Sequence, residues 1–147
     1  MERSGDDVAG GDARTLSFAA YRIDAALLEQ LLRYERTLLE ELKAGWSPAA
    51  MASAHRLALA SSGLSQDVVE RAMAVLRRFA GNREVAARLQ ARAGSLDPER
   101  AGELRTRLDA LDRELRERDD PQTIDLLSKS EDELLDLHRR LSRLLGP

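Results

Sequence analysis

From residue 97 onward leucine returns at every third or fourth position. Ala101, Leu104, Leu108, Leu111 and Leu115 follow at spacings of 3, 4, 3 and 4, and Leu127, Leu134, Leu137, Leu141 and Leu144 at 7, 3, 4 and 3. Such spacings place side chains on one side of an α-helix, whereas a strand requires strict alternation. Upstream, Tyr21, Leu28, Leu31, Leu32, Leu38, Leu39 and Leu42 also share one helical face, and no alternating pattern occurs anywhere. The reading is therefore all-α: a single-domain bundle of five or six helices. Apolar residues make up 43% of the 147 but aromatics only 3%, so the core must be built from Leu, Ala and Val.

Helix boundaries are written in the capping residues. Residues 1–16, rich in Gly and Asp with almost nothing to bury, read as a disordered leader before a helical bundle domain over 17–147. A long helix is expected over 17–44, with Ser17 as its cap and Gly45 as its stop. Ser47-Pro48 opens an alanine-rich helix to about Ser61, since serine caps and proline suits the first helical position. Ser65 caps the next, to about Ala80. Gly81-Asn82 is expected to break it, leaving a shorter helix over 83–93. Together, 17–94 form a helical core.

Residues 95–147 read as a C-terminal helical hairpin. Ser95-Leu96-Asp97-Pro98-Glu99 is a strong start signal. Asp119-Asp120-Pro121 makes a turn, so the two leucine seams predict a long antiparallel αα-hairpin, 97–118 with 121–145, paired as in a coiled coil. Ser130-Glu131-Asp132-Glu133 matches a capping box. The apolar phase nevertheless runs across residue 130 unbroken, which favours one last helix with a local irregularity.

Several chemistries are excluded. Without cysteine there is no disulfide, thiol nucleophile or thiolate metal site. A di-metal carboxylate bundle needs Glu three residues before His on two helices, but Ala52 and Leu135 precede His55 and His138 in that register. No His-Glu-x-x-His, phosphate loop, nucleophile elbow or dinucleotide fingerprint occurs. No catalytic, cofactor or metal site is assigned, and the chain is read as not an enzyme. No run approaches the roughly 18 apolar residues of a membrane span. The N-terminus resembles neither a secretory signal nor a transit peptide. A soluble, bacterial-type cytoplasmic protein is the default.

Two polar residues sit in apolar stripes. Glu35 lies between Leu31 and Leu38, and His138 lies among Leu134, Leu137 and Leu141. A buried carboxylate needs a partner or a shifted pKa. Either the two meet as a buried polar pair, the start of a ligand site, or each sits at the edge of its stripe with its tip in water. His55, on a helix with alanine on nearly every side, reads as a surface or structurally bonded histidine. Trp46, between Gly45 and Pro48, is expected to fill a gap at one end of the bundle, the alternative being an exposed binding anchor.

Charge is unevenly distributed. The net charge is −3, but Arg71, Arg77, Arg78, Arg83, Arg88 and Arg92 are opposed only by Glu84 across their stretch. They are candidates for a basic interaction surface, facing an acidic partner or the acid-rich C-terminal part of the same chain. Within this region Gly63-Leu64-Ser65-Gln66-Asp67-Val68-Val69-Glu70-Arg71 resembles the turn and recognition-helix start of helix-turn-helix DNA-binding proteins. The resemblance implies Gln66 at base edges and Arg71 at phosphates. It covers nine residues. Leu59 stands where that family has a small residue, Ser62 where it has an apolar one, and Asp67 and Glu70 would repel phosphate.

The leading functional expectation is a non-catalytic helical module for protein interaction or structure, acting through the hairpin or the basic surface on a protein partner or by self-association as a homodimer. A DNA-binding regulator centred on 49–80 is the alternative, with nucleic acid disfavoured by the charge balance. A small-ligand site at Glu35 and His138 is the third; it requires a cavity walled by both.

Overall fold

The computed structural model describes residues 21–145, so the leader over 1–16 and Ser17 lie outside the described residues. Among the described residues there are six α-helices: α1 Ala25–Leu42, α2 Pro48–Ser62, α3 Gln66–Ala91, α4 Pro98–Arg118, α5 Pro121–Ser128 and α6 Glu131–Leu145, with a 3-10 turn, Ala93–Ser95, between α3 and α4. The chain is an all-α single-domain bundle, and no strand occurs among the described residues.

Short side chains start most of the helices, as the sequence implied. The Ser47 hydroxyl accepts from the Ala50 amide at 3.0 Å, Ser65 from Val68 at 3.2 Å and Asp97 from Arg100 at 2.9 Å. Each satisfies one of the amides that a first helical turn leaves without a partner. The first helix is shorter than expected. Tyr21–Asp24 are not helical, and Asp24 caps α1 through the Leu27 amide at 2.8 Å. The Ile23 amide donates instead to the Thr123 hydroxyl at 3.0 Å, which ties the segment before α1 to the start of α5.

α2 ends at Gly63, which has φ +74, and α1 is closed off by Gly45 at φ +132. Both are left-handed conformations that glycine adopts without steric cost.

Three expectations are corrected. First, α3 runs unbroken through Gly81-Asn82. Its buried face, Met73, Leu76, Phe79, Ala80, Ala86 and Leu89, keeps helical phase across the glycine. Burial of that face outweighs the roughly 1 kcal/mol by which glycine disfavours a helix interior. Asn82 is no breaker: its side-chain amide donates to the Leu111 carbonyl at 2.8 Å and staples α3 to α4.

Second, the last helix is divided. The amides of Lys129 and Ser130 bond three residues back, to Leu126 and Leu127, before the Leu134 amide resumes the α-helical pattern on Ser130. This tight turn lets α5 and α6 take different directions.

Third, 97–118 and 121–145 do not form a hairpin. α4 lies along the second half of α3, while α6 packs on α3 and α1. The seam of α4 is buried mainly against α3 and that of α6 against α3 and α1, rather than along each other. α3 has 26 residues, about 39 Å at 1.5 Å per residue, and so extends far enough to serve both neighbours.

The main core gathers Leu31, Leu38, Leu42, Val75, Phe79 and Leu127, with Ala54 and Ala58 where α2 lies close along α1. Burying each large aliphatic side chain contributes about 1.5–3 kcal/mol. The corner between α4 and α5 is polar yet inside. Asp119 is buried and takes a two-point contact from Arg78, Nη2 at 2.6 Å and Nε at 3.2 Å. Asp120 caps α5 through the Thr123 amide at 3.0 Å.

Candidate ligand cleft

Glu35 falls where the stripe of α1 placed it, and it is only 5% exposed. The alternative that its tip reaches water is thereby overturned. Its carboxylate makes no hydrogen bond or ion pair among the described residues. Burial pushes its pKa from 4.5 up to about 7, against the lowering influence of the Arg77 guanidinium and with a smaller upward push from Glu133.

That carboxylate stands in the wall of a cleft of about 730 Å³ between α1, α2, α3 and α6. From α1 come Tyr34, Glu35 and Leu38, and from α2 Met51 and His55. α3 contributes Val69, Met73 and Arg77 among others, and α6 contributes His138, Leu141 and Ser142. A smaller recess of about 20 Å³ shares Glu35, Met73, Arg77 and His138 with the cleft and is closed by Leu76, Ala80 and Leu134. That is room for one water-sized group. Glu35 and His138 therefore line one space, brought together by packing of α6 across α1 and α3, without bonding each other.

A second polar row runs along the rim. Tyr34 Oη lies 2.6 Å from His55 Nδ1, His55 Nε2 meets Gln66 Oε1, and Gln66 Nε2 donates to Glu70 Oε2 at 2.8 Å. The amide oxygen of Gln66 only accepts, so Nε2 carries the imidazole proton and Nδ1 accepts from the phenol. The two rings meet edge to face, 5.7 Å between centres. Burial raises the Tyr34 pKa above 10, opposed by Arg77, so the phenol stays protonated. His55 is thus a structurally bonded histidine. The sequence hid this row because the alanines of α2 obscure which way His55 points, and Tyr34 reads simply as core.

The basic residues do not make one surface. Arg78 turns to the buried Asp119, and Arg77, one position earlier, faces the cleft. Arg71 pairs with Asp67 at 3.4 Å and Arg88 with Glu84 at 3.4 Å, while Arg83 bonds the Asn82 side chain at 2.7 and 3.0 Å. Arg92 is exposed. Arg78 accords with the intramolecular option for this charge. Gln66 and Arg71 are both exposed, but Gln66 is occupied by His55 and Glu70. Trp46 is 49% exposed, so it does not close the end of the bundle.

Among the described residues, no group of three or more His, Cys, Asp or Glu is placed to hold a metal ion, and no helix is long and apolar enough to cross a membrane. No protein-family model matches the chain, and no curated protein or solved structure is significantly similar to it.

Proposed function

We propose that this protein is a non-catalytic binding module and that the cleft between α1, α2, α3 and α6 is its ligand site. The observation that carries the reading is Glu35, a buried carboxylate with no partner among the described residues, set in the wall of a cavity. A buried polar group without a hydrogen bond is costly, and native structures keep few of them. A ligand supplying the missing donor would remove that cost. The volume lies within the range of small-molecule sites, roughly 300–1,000 Å³. The walls follow the same plan: apolar area from Leu38, Met51, Val69, Met73 and Leu141, with a few polar groups to fix orientation.

Binding is favoured over catalysis by the surrounding chemistry. His55 is engaged at both ring nitrogens. Ser142 stands one turn from His138 on α6, but no hydrogen bond joins them, so the serine lacks the bonded base that would activate it.

The test is a small-fragment screen read by amide chemical shifts on the full chain. Fragments with an apolar body and one polar head should move the amides of Glu35, Met73, Arg77 and His138. The response should be lost in Leu141→Trp, which fills the cleft from its half-buried wall. If no fragment moves these amides, or shifts cluster elsewhere on the surface, the proposal fails.

A further inference from the structure

We infer that the cleft accepts a small organic amine, with a single ammonium group seated against the Glu35 carboxylate and an apolar body along the methionine-bearing wall. The inference rests on the ligand-site reading above and specifies its ligand class.

The head group follows from the geometry at Glu35. An ionised carboxylate only accepts hydrogen bonds, so its partner must donate. The recess that Glu35 shares with Arg77 and His138 has room for about one water-sized group. A compact ammonium fits such a space; a planar guanidinium, with five donors spread over a wide fork, does not. The body follows from the walls, where Met51 and Met73 stand with Leu38, Val69 and Leu141. Methionine adapts to irregular shapes and makes favourable contacts with aromatic rings.

Arg77 is the cation that acts most on the carboxylate, and among the described residues it forms no ion pair with it. On α3, Glu70 and Arg77 line the cleft and oppose each other in sign. Glu133 on α6 is paired with Arg36 of α1. The remaining titratable neighbours are His138 on α6, Tyr34 on α1 and His55 on α2. Apart from Glu35, the charged side chains lining the cleft, Glu70 and Arg77, cancel. Arg77 is exposed, and its guanidinium can turn toward water as an ammonium enters.

Pairing with an ammonium draws on the ionised form of Glu35, so binding must release a proton wherever the free carboxyl holds one. With the free carboxyl at about 7, affinity should rise tenfold per pH unit up to about pH 7 and level off above it. A ligand that accepts a hydrogen bond from the protonated acid would show the opposite slope.

The experiment uses three probes with one indole body: tryptamine, tryptophol and indole-3-propionate. Each is titrated into the full chain and followed by cleft amide shifts between about pH 5 and 8.5. The amine should bind at least tenfold more tightly than the alcohol at the upper end, with the rising slope below about pH 7. Glu35→Gln should abolish both the slope and the preference, while His138→Asn should keep them. If Glu35→Gln does not fold, the wild-type slope and the three-probe ranking still decide. A flat or falling profile, a slope that follows His138, or an alcohol that matches the amine would overturn the inference. If alcohol or acid moves the cleft amides and the amine does not, the ligand class falls and the site stands. If none of the three moves them, the ligand class falls, and the fragment screen decides whether the site stands.

Discussion

Glu35 makes the stability of this protein depend on pH in a direction opposite to that of most carboxylates. The folded protein keeps the proton up to about pH 7, whereas an unfolded chain releases it near 4.5. Between those values the native state binds more protons, so stability falls as pH rises through that window and is level above it. At about 1.4 kcal/mol per tenfold change in proton affinity, the interval corresponds to about 3 kcal/mol. In Glu35→Gln the amide has the shape of the protonated acid and cannot ionise. Its stability relative to wild type should therefore be near zero at about pH 4 and about 3 kcal/mol in the variant's favour at about pH 8. In thermal melts the upper figure is a rise of roughly 10 °C. Urea titrations followed by far-ultraviolet circular dichroism across that range measure the difference directly, and other titrating groups cancel in it. A difference that stays constant with pH, or a variant less stable than wild type at the upper end, would refute the reasoning.

Other perturbations test the frame around the cleft. Asp119 is wholly buried and Arg78 partly exposed, so the pair should be asymmetric. Arg78→Ala strands a buried carboxylate and should cost about 3–5 kcal/mol, whereas Asp119→Asn frees an arginine that can reach water and should cost less. Chemical denaturation that ranks them the other way would count against the assignment. Gly81 has no heavy atom within 4 Å of where a Cβ would stand; if α3 is continuous there, Gly81→Ala should raise stability by about 0.5–1 kcal/mol. The fluorescence of Trp46, the only tryptophan, should resemble that of a solvated indole and be readily quenched by iodide. Blue-shifted, protected emission would place it inside the bundle instead.

The helical class and most helix starts were legible because they depend on residues close in sequence. Leucine at three and four, Ser47 before Pro48, Ser65, and Asp97 before Pro98 act within one or two turns, and each appears where its spacing put it. Glu35 was legible as an anomaly for the same reason: a carboxylate on an apolar stripe is visible from periodicity alone. Local signals also competed with packing, and at Gly81-Asn82 packing prevailed, since the buried face of α3 continues through the glycine and Asn82 bonds α4.

Which seam meets which helix depends on corners that periodicity does not record. A heptad pattern states that a face must be buried, and any apolar neighbour satisfies it. The capped turn at Asp119-Asp120 and the tightened turn at Lys129-Ser130 send α6 across α1 and α3 and leave α4 along the far half of α3. That arrangement brings His138 to the space Glu35 lines and leaves the carboxylate buried beside a cavity rather than paired. The sequence alone determined that this chain is helical, where most of its helices begin, and that Glu35 is out of place. Only the tertiary structure decided what Glu35 faces, because the direction of a buried side chain is set by elements distant in sequence whose packing order no local pattern encodes.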